Sequence, residues 1–463
     1  MGLLASTAST AFAVPTKLLV PEGCQHHHDG KAAFDAVVEE DEMVDQISVH
    51  EDPQLAGVVH QLALEEYEGP GEFTHESREK FAWLKDLETQ LWLDTGDADA
   101  AARVWSVELQ ALTTNNTLVN QVVQTGVMDD LIVRAVEKIR QASPGITHHD
   151  LVIELAFLVN AKIALSLVSK FGANVSVELH PDVGFDVHSS LVFARRYYAI
   201  NPSHFYVKIP LTPDGFISAR RLSCDNIPIN FTLGFSARQN YLAARFSGPR
   251  FVNVFLGRLN SLVEENKLGD PTNVGEKAAL ASYEWVRDLR KSHADIYTYQ
   301  IAASMRSGNQ VVTLAGVDVL TIPPKVAQEY LDLSIHKADI RRHTSDELEV
   351  NVNYMPDSDV SNFEQLWTVD AQFIGFVEDA VRQADQLTDG PDLVRLAQSH
   401  DVNLFYGWSA EDRQRIREKG KIPDLSQWPG APLDDLMSIS ALESFAKDQL
   451  ALDNRIGELV RSV

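Results

Sequence analysis

Lys208 sits in Phe205-Tyr206-Val207-Lys208-Ile209-Pro210, a short apolar run that reads as a buried strand. Lysine is seldom fully buried unless it is paired or chemically engaged. Burial disfavours an ammonium, and a neutral amine is the form that attacks a carbonyl carbon to give a Schiff base. The same six residues also fit a lysine whose head reaches solvent at the strand end. The neighbouring segments must decide between the two.

Other polar residues recur at the ends of apolar runs. They are Asp94, Thr113 to Asn115, Glu178, Asn230 with Thr232, Asn253, Arg258, and Ser304 with Arg306. Each has an ordinary reading. Asp94 fits a helix cap, Asn115 a turn, Glu178 a paired rim carboxylate, and the two arginines surface ion pairs. Asn230 and Thr232 are two apart and share one face of a strand. Gathered in one place, the set would bring together a lysine, carboxylate, amides, hydroxyls and two arginines. A purely structural interior has little reason to collect so many polar groups.

The elements that would gather them are eight short apolar runs, at 91–95, 111–115, 175–180, 205–210, 227–235, 251–258, 296–303 and 317–322. Helical stretches at 99–109, 118–141, 187–199, 215–222, 237–246, 274–291, 310–314 and 325–333 alternate with them, and 150–170 is an extra helix. Such alternation predicts βαβ units and a parallel sheet. Eight units predict a (β/α)8 TIM barrel, an α/β fold whose sites lie at the C-terminal strand ends. The rival is a doubly wound open sheet, but no glycine-rich phosphate turn follows the first strand.

We divide the chain into an acidic N-terminal extension (1–85), a barrel carrying the site (86–340) and a helical C-terminal region (341–463). Helices are expected there at 370–386, 391–400, 410–419 and 438–463. The last carries Leu442, Phe445, Leu450, Leu452, Ile456 and Leu459 at helical spacing, a stripe that reads as core packing.

The 463 residues are 44% hydrophobic and 23% charged, as in ordinary soluble domains, and carry a net charge of −26. That charge argues against nucleic acid or an anionic membrane as a general partner, but not against a small anion in a locally basic pocket. No run is expected to approach the roughly 18 apolar residues of a membrane span. The N-terminus lacks the basic region of a secretory leader, and Gly2 with Ser6 matches an acylation pattern only loosely. His26 to His28 and the acidic stretch 39–42 read as solvated runs. Only Cys24 and Cys224 occur, far apart, so no disulfide framework and no zinc cluster are expected, and a reducing compartment fits. No metal-ligand spacing is evident, and no metal is expected.

In their order, Asp94-Thr95, Thr113-Thr114-Asn115, Ser176-Val177-Glu178, Val207 to Pro210, Asn230 to Ser236, Phe255-Leu256-Gly257-Arg258 and Ala303 to Arg306 resemble the transaldolase family. Leu314 to Asp318 with Leu320 to Pro324 resembles its eighth-strand pattern, and 442–455 its last helix.

The resemblance implies a cytoplasmic enzyme, often dimeric, that moves a dihydroxyacetone unit between sugar phosphates without a cofactor. It implies Lys208 as the Schiff-base lysine, Asp94 as the acid/base, and Glu178 with Thr232 as holders of a water. Thr113, Asn115, Asn230 and Asn253 would meet the substrate and Phe255 would wall the site. Arg258, Ser304 and Arg306 would take its phosphate. Asn116 and Asn253 stand where the family usually has proline and serine, so both are expected near the substrate and to influence sugar preference. A related aldolase and a non-catalytic sugar-phosphate binder are the competing expectations.

Overall fold

In the computed structural model, the described residues are Cys24, 49–73, 75–353 and 363–463. The leader-like segment, the acylation pattern, the histidine run and the acidic stretch 39–42 lie outside them. Eight parallel strands close a barrel in chain order: β1 Gln90–Asp94, β2 Leu109–Thr113, β3 Asn174–Glu178, β4 Phe205–Pro210, β5 Ile229–Thr232, β6 Phe251–Phe255, β7 Tyr299–Ala303 and β8 Val319–Ile322.

Two short helices precede the barrel, α1 Pro53–Leu64 and α2 Glu79–Lys85. Around it lie α3 Ala98–Val104, α4 Asn116–Val123, α5 Asp129–Ala142, α6 His148–Phe171, α7 Val187–Ile200, α8 Pro213–Cys224 and α9 Ala237–Leu242. These are followed by α10 Leu256–Glu265, α11 Val274–Ser292, α12 Gly308–Thr313 and α13 Pro324–Asp332. The C-terminal region adds α14 Ala371–Arg382, α15 Gly390–Ser399, α16 Ala410–Lys419 and α17 Leu433–Arg461.

The strand period of two sorts every strand into an outer and an inner set. Leu91, Leu93, Val175, Val177, Val207, Ile209, Val252 and Val254 form one buried set, the packing surface for the helices. The inner set has two characters. Trp92, Tyr206, Phe251 and Tyr299 form an aromatic floor, with Trp92 and Tyr206 stacked at 5.8 Å and Tyr206 meeting Phe251 edge-on at 5.1 Å. Two residues after Trp92, Tyr206 and Phe251 the inner positions turn polar, with Asp94, Lys208 and Asn253. Asp94 pairs with Thr113, Glu178 with Lys208, Lys208 with Asn230 and Pro210 with Thr232 in the strand register. The floor closes the barrel from below, so the polar layer opens only toward the C-terminal strand ends.

Several boundaries differ from expectation for local reasons. β2 stops at Thr113 because Asn115 caps α4, its side chain accepting from the Leu118 amide at 2.9 Å. β5 stops at Thr232 and β6 at Phe255, so Arg258 belongs to the first turn of α10, a helix that the apolar run had hidden. α3 ends at Val104 rather than running to 109, because Trp105 turns extended (ψ 143°). The expected helix 118–141 is two helices, parted near Gly126, whose φ of +83° L side chains rarely adopt.

Part of the N-terminal extension is helical, and its α1 packs on α5, α6 and α7. α6 is long and apolar enough to cross a membrane, contrary to expectation, yet it is almost wholly buried against β3, α1 and α17. Thr147 caps its start by accepting from the Asp150 amide, and Gly172 at φ +62° ends it. Cys24 and Cys224 form a disulfide across 200 residues of sequence, which corrects the reading of these two cysteines as too distant to be paired. Spacing says nothing about which distant cysteines the fold brings together. The inference of a reducing compartment therefore loses its basis.

α17 starts at Leu433, ahead of the expected 438, and lies across the barrel mouth. Arg238 holds Asp434 with two bonds of 2.7 Å, and Ser236 donates to the same carboxylate at 2.7 Å. Asn116 donates to Gln449 at 2.8 Å, and His180 meets Asp453 at 3.2 Å. Leu442, Phe445, Leu452 and Ile456 of the expected stripe are buried, whereas Leu450 is exposed.

Asp435, beside Asp434, is fully enclosed and accepts from the Tyr406 amide and the Trp408 indole at 2.7 Å each. Burial pushes its carboxyl up to about 7. The folded state therefore holds this proton more tightly than the unfolded state does. The stability it contributes is full below the unfolded value near 4 and is lost as pH rises toward 7. Asp435→Asn should flatten the pH dependence of the urea midpoint between pH 5 and 8. An unchanged slope would show that Asp435 does not titrate in this window.

Candidate active site

Ten of the expected residues line one cavity of about 140 Å³ at the C-terminal strand ends: Asp94, Thr113, Asn115, Lys208, Asn230, Asn253, Phe255, Arg258, Ser304 and Arg306. The floor and the strand register explain this convergence, since each residue occupies an inner position or the turn that follows one.

Lys208 is 3% exposed. Its Nζ donates to Glu178 Oε2 at 2.8 Å and to the Thr114 carbonyl at 2.8 Å. The reading of a head that escapes to solvent is therefore excluded. Burial pushes the Glu178 carboxyl up, an effect that Lys208 opposes. Glu178 does not line the main cavity; it borders a second, small space of about 20 Å³ with Asn116, Asn160 and Tyr197. Thr232 lines neither, and its hydroxyl is buried without a hydrogen-bond partner.

Asp94 is not a helix cap; Asp97 takes that role for α3. Thr113 Oγ1 donates to Asp94 Oδ1 at 2.7 Å and lies 2.8 Å from Thr321 Oγ1, so two hydroxyls fix the carboxylate. Burial pushes Asp94 up, against the opposing pull of the Thr113 bond, Lys208 and Arg306. Asn115 is a cap and a cavity wall at once. Asn230 donates to Ser176 Oγ at 3.0 Å. Asn253 borders the cavity, but it donates to the Phe231 carbonyl at 2.5 Å and accepts from the Gly234 amide at 3.2 Å. Much of its polarity thus serves the turn after β5. Asn116, expected beside the substrate, instead points to α17 through Gln449 and is absent from the main cavity wall. Its place in the first turn of α4 turns it away from Asn115.

The two arginines make the cavity locally basic. Arg258 lies over the Phe445 ring at 5.6 Å and donates to the Lys421 carbonyl at 3.2 Å. Burial and the neighbouring Arg306 push it down to about 10. Burial likewise lowers Arg306. Gly257 permits this proximity, because a Cβ there would stand 2.1 Å from the Ser304 carbonyl and 2.9 Å from Arg306 Cγ. Ser304 itself holds φ +66°, a left-handed backbone costing about 1 kcal/mol or more for a non-glycine residue. This strain sits in the turn that carries Arg306.

Sequence reasoning missed Thr321, Lys421 and Phe445. Thr321 was legible by alternation from Val319 on β8. Phe445 was read only as core, and nothing in the sequence places Lys421 at a barrel mouth. Among the described residues no cluster of three metal-ligating side chains occurs.

A buried lysine on the fourth strand of a closed parallel barrel, sharing its cavity with Asp94 and two arginines, marks the class of (β/α)8 barrels with a polar pocket at the C-terminal strand ends. The family model for transaldolase/fructose-6-phosphate aldolase matches residues 91–374, and the chain belongs to that family. It is an enzyme of the transaldolase type. Among its relatives, a transaldolase from Xanthomonas campestris pv. campestris (strain B100) is 30% identical over 260 residues, covering 55% of this chain and 78% of the relative. A transaldolase from Xanthomonas euvesicatoria pv. vesicatoria (strain 85-10) is 29% identical over 291 residues, 61% and 87% of the two chains. One from Rhizobium leguminosarum bv. trifolii (strain WSM2304) is 30% identical over 258 residues, 54% and 77%.

Proposed function

We propose that the enzyme transfers a dihydroxyacetone unit from a ketose phosphate to an aldose phosphate through a Schiff base on Lys208. The observation that carries this reading is the enclosed contact of 2.8 Å between Glu178 and the Nζ of Lys208, a lysine that lines the same cavity as Asp94. Glu178, raised by burial, is suited to accept the ammonium proton and free the amine. The amine adds to the C2 carbonyl. A water held between Glu178 and Thr232 Oγ1 relays protons while hydroxide leaves C2 as water and the iminium forms.

The iminium is an electron sink. Asp94 takes the proton of the C4 hydroxyl, the C3–C4 bond breaks, and its electron pair becomes the enamine at C3 while C4 leaves as an aldehyde. An acceptor aldehyde then enters, C3 attacks it, and Asp94 returns the proton to the new hydroxyl. Asn115 and Asn230 hold the three-carbon unit meanwhile. Arg258, Arg306 and Ser304 bind the phosphate by charge-assisted bonds, and the dianion offsets the repulsion between the guanidiniums. The enclosed layer above the aromatic floor keeps water from the enamine, which favours transfer over simple cleavage.

The test is turnover of fructose 6-phosphate with and without erythrose 4-phosphate. Product formation that requires the acceptor is the expected result. Equal release of dihydroxyacetone without acceptor would make the enzyme an aldolase, and no turnover with either would leave only a binding protein.

A further inference from the structure

Lys421 lies on the wall of the same cavity as Arg258, Ser304 and Arg306, yet it belongs to a segment beyond residue 374, where the family match ends. Its main chain is anchored on α10. Arg258 donates to its carbonyl at 3.2 Å, Asn266 donates to the Pro423 carbonyl at 3.0 Å, and the Leu425 amide donates to Asn266 at 3.0 Å. Ile422 between them is buried. The side chain of Lys421 is by contrast exposed, and its ammonium has no carboxylate partner among the described residues.

Lys421 also ends a basic run, Arg413, Arg415, Arg417, Lys419 and Lys421, in a chain whose net charge is −26. Three members of the run are engaged elsewhere. Arg413 lies over Phe185 at 4.2 Å, Arg415 over Trp428 at 4.8 Å, and Arg417 meets Glu443 at 2.7 Å. Lys421 therefore combines a fixed backbone, a charge without a carboxylate partner among the described residues and a place on the same cavity wall as Arg258 and Arg306. A lysine is a compact charge on a flexible stem, suited to meeting an anion from the open side while rigid guanidiniums hold it from within.

We propose that Lys421 is a third cationic contact for the substrate phosphate, supplied by the C-terminal region, and that it strengthens the preference for phosphorylated over unphosphorylated sugars. This rests on the sugar-phosphate reading of the cavity. It gives part of the region beyond the family match a role at the site.

The test compares Lys421→Glu, Lys421→Ala and Lys421→Arg in the full chain. For Lys421→Glu the KM for fructose 6-phosphate should rise about tenfold with kcat nearly unchanged, and the KM for unphosphorylated fructose should stay as it is. Lys421→Arg should restore most of the affinity. An unchanged ratio of the two KM values, or an equal rise in both, would overturn the proposal. Calorimetric titration with inorganic phosphate supplies a readout independent of turnover. Weaker binding by Lys421→Glu than by the parent supports the contact even where the sugar-phosphate reaction fails. Equal binding, or no binding by the parent, refutes it.

Discussion

Lys208→Met should lower kcat by at least about 10⁴-fold, because no other buried amine is seen to face the cavity among its lining residues. The variant should still fold, but its stability should depend more steeply on pH. In the parent, Lys208 opposes the upward push of burial on Glu178. Without that cation the carboxyl rises further and holds its proton in the folded state. Stability is then full below the unfolded value near 4 and is lost as pH rises through the higher folded value. Urea midpoints at pH 5 and pH 8 should therefore differ more in Lys208→Met than in the parent, and Glu178→Gln in the same background should remove the extra difference. Residual turnover above about 1% of the parent would show that another group serves as nucleophile.

The second large effect concerns Asp94. Its carboxylate is set by the 2.7 Å bond from Thr113, which leans in turn on Thr321. Asp94→Asn keeps the shape and can still accept from Thr113, but it cannot take the C4 hydroxyl proton. kcat should fall by about 10² to 10⁴-fold, while formation of the imine on Lys208 continues. The separation of the two steps is the informative result. If imine formation and cleavage fell together, Asp94 would be acting through the placement of Lys208 rather than on the substrate. If neither changed, its role would be structural.

The barrel was legible because a period-two strand between two packed layers leaves an unambiguous apolar run, and eight such runs separated by helical stretches admit few topologies. β4 was read to the residue, since Phe205 begins it after a turn and Pro210 cannot continue it. The ends of β2, β5 and β6 were read too long, because Asn115 and Ser236 cap the helices that follow and Leu256 already begins one. The cavity wall was legible where polar residue type and strand alternation coincide, as at Lys208, Asn230 and Asp94.

It was not legible where a side chain's direction depends on a distant partner. Asn116 follows Asn115 in sequence, but Gln449 on α17 claims it. Asn253 borders the cavity, but the Phe231 carbonyl and the Gly234 amide use its amide group. Asn116 therefore faces α17 and not the main cavity. Lys421 and the Cys24–Cys224 bond belong to the same category. Both are consequences of long-range folding that no local pattern announces.

The central claim is that Lys208 forms a covalent imine with a ketose phosphate. Borohydride added to the enzyme with fructose 6-phosphate reduces such an imine to a stable secondary amine, which peptide mass mapping can locate. The account predicts irreversible inactivation and a substrate-derived mass increment on Lys208, absent from Lys208→Met. An active enzyme with no increment on Lys208, or with the increment on another lysine, would contradict it.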